Sequence, residues 1–319
     1  MEATKKIRVS VVCNAYNHGK YIREALDGFV MQKTDFAFEV LIHDDASTDN
    51  TAEIIREFEA KYPDLIKPIY QTENQYSKGI GILHTFQLPR IKGDYVALCE
   101  GDDCWTDPLK LQKQFDALEA HPEVDMCATG AVRIDAESGR ELSRICPSDH
   151  DTIIPVTDVI AGGGGFVATA SLFYRAYLLY ELPRFRQILR YDYTCQIQGS
   201  LRGGLLYLCD ITTVYRAMVA GSWTARVALN VEKREKHYAK LRESLLALNE
   251  DTEKKYDLVI HKKLREIEFE LLSMRENWKK MLNKEYKDIF RNLPFKSRIK
   301  IRIKATFPFL IKFVRKIRK

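Results

Sequence analysis

The sequence predicts an α/β fold, a mostly parallel sheet flanked by helices, followed by a C-terminal helical extension. Three observations lead there. Short β-branched runs alternate with stretches of helical apolar spacing through the first 130 residues. Polar, acid-rich segments follow several of those runs, where ligands of open α/β sheets bind. Residues 224–290 are rich in Leu, Lys and Glu without Pro or Gly, which suits two or more long amphipathic helices.

Taken in order, Ile7–Cys13 (IRVSVVC) is a strand covered on both faces, and Gly19–Met31 a helix with Ile22, Ala25, Leu26 and Phe29 in step. Phe38–Ile42 is a second strand ending in His43-Asp44-Asp45, and Ser47–Asn50 offers N-cap chemistry for a helix reaching about Lys61. Ile66–Tyr70 is a third strand, Gly79–Ile91 a third helix, and Tyr95–Cys99 a fourth strand running into Glu100-Gly101-Asp102-Asp103. Asp107-Pro108 opens the next helix, because Pro loses nothing at a first turn. Beyond it, Met126–Ile134 and Ala168–Tyr174 read as strands, Tyr191–Leu201 as a helix, and Leu205–Leu208 and Ile211–Tyr215 as two short strands.

Composition narrows the class. The chain has 319 residues, 45% hydrophobic and 29% charged, enough for a sizeable core without disulfide or metal staples. Its seven Cys are scattered, with no CxxC pair, so neither a disulfide framework nor a zinc site follows, and a reducing cytoplasm is expected. No apolar run reaches the length of a membrane span, and no charged-then-apolar leader opens the chain. Residues 289–319 hold eleven Lys or Arg and no Asp or Glu. The whole-chain charge of +6 therefore leaves −5 on residues 1–288. That basic, aromatic tail suits the anionic inner face of a membrane, with period-two alternation at Arg298–Lys304 and a helical face at Phe309–Ile317. No nucleic-acid partner is expected, and oligomeric state is open.

Glu100-Gly101-Asp102-Asp103 is the sharpest chemical feature. Carboxylates crowded at a strand end repel one another and call for a cation, and hard oxygen ligands suit Mg²⁺ or Mn²⁺ bound together with phosphate oxygens. Gly101 lets backbone come close to a ligand. An acidic turn that merely caps the following helix is the plainer alternative.

The segments VSVVCNAYNHGKYIREAL, EVLIHDDASTDNT and GDYVALCEGDDCWTDPLKLQKQ together resemble glycosyltransferase family 2, the GT-A-fold enzymes, over about Ile7–Trp223. The resemblance implies a Rossmann-like GT-A domain at 1–223, with the helical extension at 224–288 and the basic amphipathic tail at 289–319. It implies inverting transfer of a sugar from a nucleotide-diphosphate donor, UDP-linked, to a surface-glycan or lipid-linked acceptor. Tyr16 then stacks on the base, with Asn14 and Ala15 shaping the loop around it, and Asp45 accepts from a uracil imide. Glu100, Asp102 and Asp103 form the DXD-like motif, with Asp102 near the ribose or metal and Asp103 the principal ligand of Mn²⁺ or Mg²⁺. Asp192, ahead of a helix, is the base. Relatives carry a His after Tyr-Arg-x near the end of the domain, whereas this chain reads Tyr215-Arg216-Ala217-Met218. A thioether is a poor ligand for a hard cation. Two rivals stand beside this reading. One is a nucleotidyltransferase, against which Asn14–Lys20 lacks a cation-dense phosphate loop, and the other a non-catalytic nucleotide-sugar-binding protein of the same fold.

Overall fold

The computed structural model describes residues 6–219 and 230–307, and the chain divides into two compact units, Met1–Ala225 and Arg226–Lys319. In the first unit, β1 (Ile7–Ala15), β2 (Ala37–Asp44), β3 (Ile66–Tyr70) and β4 (Tyr95–Leu98) run parallel in the order 3-2-1-4. Register is set by buried pairs such as Val11 opposite Val40 and Val9 opposite Tyr95. Between them run α1 (Ile22–Val30) and α2 (Thr51–Lys61). Ile22, Ala25, Leu26 and Phe29 of α1 form one fully buried stripe, each large side chain contributing about 2 kcal/mol against exposure.

The sheet then changes character. After β5 (Cys104–Trp105) and α3 (Lys110–Ala120) come β6 (Met126–Asp135), β7 (Glu141–Ile145), β8 (Thr152–Ile154), α4 (Val156–Gly162) and β9 (Phe173–Arg175). β9 inserts between β4 and β6, antiparallel to both. Beyond α5 (Arg184–Ile188) and α6 (Asp192–Ser200), β10 (Leu205–Ala217) runs parallel to β6 and antiparallel to β5 and β8. The whole is a mixed sheet in the order 3-2-1-4-9-6-10-5, parallel in its first half.

Several local expectations are corrected. The helix expected at Gly79–Ile91 is a 3₁₀ turn (Tyr76–Lys78), a π turn (Leu83–Gln87) and a second 3₁₀ turn (Leu88–Arg90), because Gly79 at φ 79° ends the first and Pro89 interrupts the rest. The strand expected at Ala168–Tyr174 is a 3₁₀ turn, Thr169–Ser171, followed by the three residues of β9. The turn aims the Ala170 carbonyl at Trp105 Nε1 (2.8 Å) and that of Ser171 at Gln114 Nε2 (2.9 Å). The two strands expected at 205–215 are one, whose register against β6 shifts between Leu208 and Thr213.

The second unit holds α7 (Val231–Asp251), α8 (Asp257–Met274), α9 (Lys287–Asn292) and α10 (Phe295–Thr306). Its core joins Phe269, Leu272, Met281, Tyr286, Phe290 and Ile301. The segment read as a basic amphipathic tail from 289 contributes Phe290 and Ile301 to this core. The alternation at Arg298–Lys304 lies on a helix rather than a strand, with Ile301 and Ala305 buried one turn apart. The helical face expected at Phe309–Ile317 lies outside the described residues. Among the described residues no helix is long and apolar enough to cross a membrane.

Candidate active site

The order 3-2-1-4 places β1 between β2 and β4, so their carboxyl ends border the crevice where such sheets take ligands. The chain holds these ends together beyond the regular pairing. The Asp45 N–H donates to the Ala15 carbonyl (2.9 Å) and the Gly101 N–H to that of Asn14 (3.0 Å). Gly101 is required there. A Cβ would meet His18 Nδ1 and Ile22 Cδ1 at 2.9 Å and the Ala15 Cβ at 3.1 Å, so any side chain would force His18, Ile22 or the turn to shift. Asn17 at φ 56° turns the chain after β1, its Oδ1 accepting from the Thr48 N–H at 2.8 Å.

Tyr16 keeps 42% of its surface exposed beside the crevice, available to a flat ring. Asp45 is buried, and its carboxylate caps the next segment, accepting from the backbone N–H groups of Gln75 (2.8 Å) and Tyr76 (3.0 Å). A carboxylate has about four acceptor sites, so this capping leaves capacity for a donor group. Gln87, fully buried in the π turn, donates from Nε2 to the carbonyls of Cys13 (3.1 Å) and Leu41 (3.2 Å) and to Asn14 Oδ1 (3.3 Å). Its role as a brace for Asn14 had no sequence signal, because it arises across a 73-residue separation.

Asp102 and Asp103 are buried and Glu100 is exposed. Arg216 on β10 fixes this turn. Its backbone N–H donates to Asp103 Oδ1 (2.8 Å), its Nη1 to the Asp102 carbonyl (2.8 Å) and its Nη2 to Glu24 Oε2 (2.6 Å), with Tyr21 under the guanidinium at 5.2 Å. The charge balance still leans negative. Burial, then Asp102 and Glu100, pushes Asp103 well above the usual carboxylate range despite Arg216. Loss of hydration in the cleft, with Asp102 and Asp192 adding repulsion, pushes Glu100 up to about 8. His18 Nε2 stands 3.8 Å from Asp102 Oδ2, and its buried Nδ1 has no hydrogen-bond partner among the described residues. His18 is therefore part of the site.

On the far wall, Asp192 opens α6. Its Oδ1 accepts from the Tyr193 N–H (2.7 Å) and its Oδ2 from the Thr169 hydroxyl (3.0 Å), and burial raises its pKa. A Cβ on Gly164 would come 4.0 Å from Asp192 Oδ1, so the glycine loop 162–165 borders this carboxylate. Asp192 contributes to the rise at Glu100, so the two carboxylates lie within electrostatic reach of one another. Met218 is half exposed at φ 62°.

Among the described residues no three His, Cys, Asp or Glu side chains form a ready-made metal cage. The donor set nonetheless fits a hard cation of the Mg²⁺ or Mn²⁺ type. Excess carboxylate charge sits in one turn, and such ions take one or two carboxylates and complete their shell with phosphate oxygens and water.

The family model of "Glycosyl transferase family 2" matches residues 10–189. The chain belongs to this family. The matched span contains Asn14, Ala15, Tyr16, Asp45, Glu100, Asp102 and Asp103 and stops three residues before Asp192. An uncharacterized protein of Mycobacterium tuberculosis is 39% identical over 218 residues, covering 67% of this chain and 60% of that protein. A putative glycosyltransferase of Bacillus subtilis, EpsE, is 31% identical over 183 residues, covering 57% and 62%. The chain thus spans about three-fifths of the length of these curated relatives. The crystal structure of S. aureus TarS 1-349 in complex with UDP-GlcNAc aligns with a TM-score of 0.58 and 19% identity over 94% of this chain and 81% of that one. At that identity the likeness is one of fold, and the GT-A fold is the one expected for family 2.

Proposed function

We propose that this chain is an inverting glycosyltransferase that moves a sugar from a UDP-linked donor to a hydroxyl of a surface-glycan or lipid-linked acceptor. The observation that carries the reading is the facing of two walls across one cleft. One wall holds the Glu100–Asp103 turn at the switch point, and the other holds Asp192 at a helix start, close enough for the Asp192 charge to raise the Glu100 carboxyl. Inversion needs a base on the face opposite the leaving group, and Asp192 on the second wall is the candidate for it.

In this reading Tyr16 stacks on the uracil, Asp45 accepts from its imide, and Asn14 and Ala15 shape the backbone around it. Asp103, with Asp102 beside it, would hold a Mg²⁺ or Mn²⁺ ion, which supplies charge neutralisation at the departing diphosphate. Asp192 takes the proton of the acceptor hydroxyl. That oxygen then bonds to the anomeric carbon as the bond from that carbon to the β-phosphate oxygen breaks, releasing UDP. Thr169 holds the Asp192 carboxylate in place through its 3.0 Å hydrogen bond. The work is placed at the inner face of the cell membrane, reached through the basic C-terminal segment.

Purified chain assayed with a panel of UDP-sugars and glycan acceptors tests this. Asp192→Asn should lower turnover by about 10³-fold while donor affinity stays within about threefold. Asp103→Ala should abolish the thermal shift that Mn²⁺ adds to UDP. Donor binding by wild type without transfer to any acceptor would favour the non-catalytic alternative, which Met218 already suggests.

A further inference from the structure

We propose that α10 (Phe295–Thr306) docks edge-on into the surface of an anionic lipid bilayer. The second unit uses one side of this helix: Ile301 is buried in the core with Phe290 and Met281, and Ala305 one turn on is buried too. At about 100° per residue, Phe295, Ile299 and Ile303 fall on the opposite side. They are 67%, 41% and 50% exposed, and spacings of four make them a continuous ridge. A helix that merely covers its own core has no use for a second apolar edge.

Charge identifies the occupant. By the same helical geometry Lys296 and Lys300 flank the ridge on one side, and Arg298 and Arg302 on the other. Among the described residues Lys296, Lys300 and Arg302 make no ion pair, and residues 289–319 contain no acid to neutralise them. The Arg298 guanidinium lies 5.9 Å from the Phe295 ring and that of Arg302 5.5 Å from Phe290, their stems lying along apolar surface. Bulky apolar side chains between two rows of cations match acyl chains under anionic headgroups. A second copy would bring five Lys or Arg against their like, and a nucleic acid would leave three large apolar side chains without a partner.

The inference deepens the reading of a lipid-linked acceptor, yet its assay contains no donor, so either can fail alone. Full-length protein is sedimented with phosphatidylglycerol vesicles and, separately, with phosphatidylcholine vesicles. It should pellet with the first and not the second, and high salt should weaken that binding. A Phe295→Ser, Ile299→Ser, Ile303→Ser variant and a Lys296→Gln, Lys300→Gln, Arg302→Gln variant should each lose about tenfold or more of the partitioning. Helix content by circular dichroism and the UDP thermal shift should stay at wild-type values. Serine substitutions that leave vesicle binding unchanged overturn the proposal. So does folded wild type that stays in the supernatant with phosphatidylglycerol. A ridge variant that changes a dimer into a monomer, with no vesicle binding in wild type, assigns the face to a second copy instead.

Discussion

The parallel half of the sheet delivers its candidate residues from consecutive strand ends, whereas the later half delivers Asp192 through a helix start and Arg216 through a long, irregular strand. In the first, Asn14–Tyr16 lies at the end of β1, and Asp45 and Glu100–Asp103 follow β2 and β4 within a few residues. In the second, β9 has three residues, β10 loses register between Leu208 and Thr213, and Asp192 reaches the cleft beside a turn and a glycine loop. Strand ends in a parallel sheet are aligned by shared register, so a binding surface comes with the fold. A general base must instead be aimed at one atom, which a separate element can do without disturbing the sheet.

Arg216 joins the two halves, so its loss should break that separation most strongly. Arg216→Gln leaves the backbone bond to Asp103 but removes the bonds to the Asp102 carbonyl and Glu24. It should lower stability by about 3 kcal/mol in urea denaturation. Arg216→Lys should recover only part, since a single ammonium cannot span both acceptors. Equal stability of all three proteins would mean the halves are independent. Next in size is Gly28→Ala within the parallel half. The added Cβ would stand 2.8 Å from the Trp105 carbonyl and 3.0 Å from its nitrogen, both backbone, at the strand that follows the acidic turn. A loss of about 2 kcal/mol, with weaker UDP binding, is expected.

A smaller effect of opposite sign is expected at Lys110, which is fully buried on α3 with Nζ bonded to Gln114 (2.5 Å) and 4.3 Å from the Trp105 ring. Burial lowers its pKa from 10.5 to about 8. The folded chain therefore disfavours the ammonium. Stability is greatest above about pH 10.5 and declines as pH falls to about 8, below which the deficit is constant. Lys110→Met should raise stability at pH 7 by roughly 1–2 kcal/mol, and the gain should vanish at high pH. Smallest is a stability effect of Asp192→Asn. Because burial raises the Asp192 pKa, ionisation opposes folding. The variant should be slightly more stable than wild type near pH 7, and the two should converge below the ordinary aspartate range. A variant less stable than wild type at neutral pH would make Asp192 a structural cap rather than a base held at some cost to the fold.

The same contrast explains what the sequence made legible. The strands read at Ile7–Cys13, Phe38–Ile42, Ile66–Tyr70 and Tyr95–Cys99 were readable, to within a few residues at their ends, because their β-branched runs recur and the acids near their ends stand out against apolar strands. Asp192 was readable only as a polar residue before a helix, and its nearness to Glu100 depends on where β9 and Thr169–Ser171 carry the chain. Gln87, His18 and Glu24 gave no signal, since each acts on residues whose nearness only the packed sheet creates. The alternation at Arg298–Lys304 misled because period two and a four-residue ridge coincide at Ile299 and Ile303, and only burial of Ile301 separates them.

The two pairings between β10 and β5, Val214 with Cys104 and Thr213 with Trp105, set which peptide N–H of β10 meets Asp103. The hydrogen bond comes from the main chain of Arg216, so most substitutions at 216 preserve it, whereas a slip of one residue along this short ladder would present a carbonyl instead. A two-rung ladder thereby acts as a ruler for the acidic turn, and its alignment is fixed by hydrogen-bond spacing rather than by the identity of any one side chain.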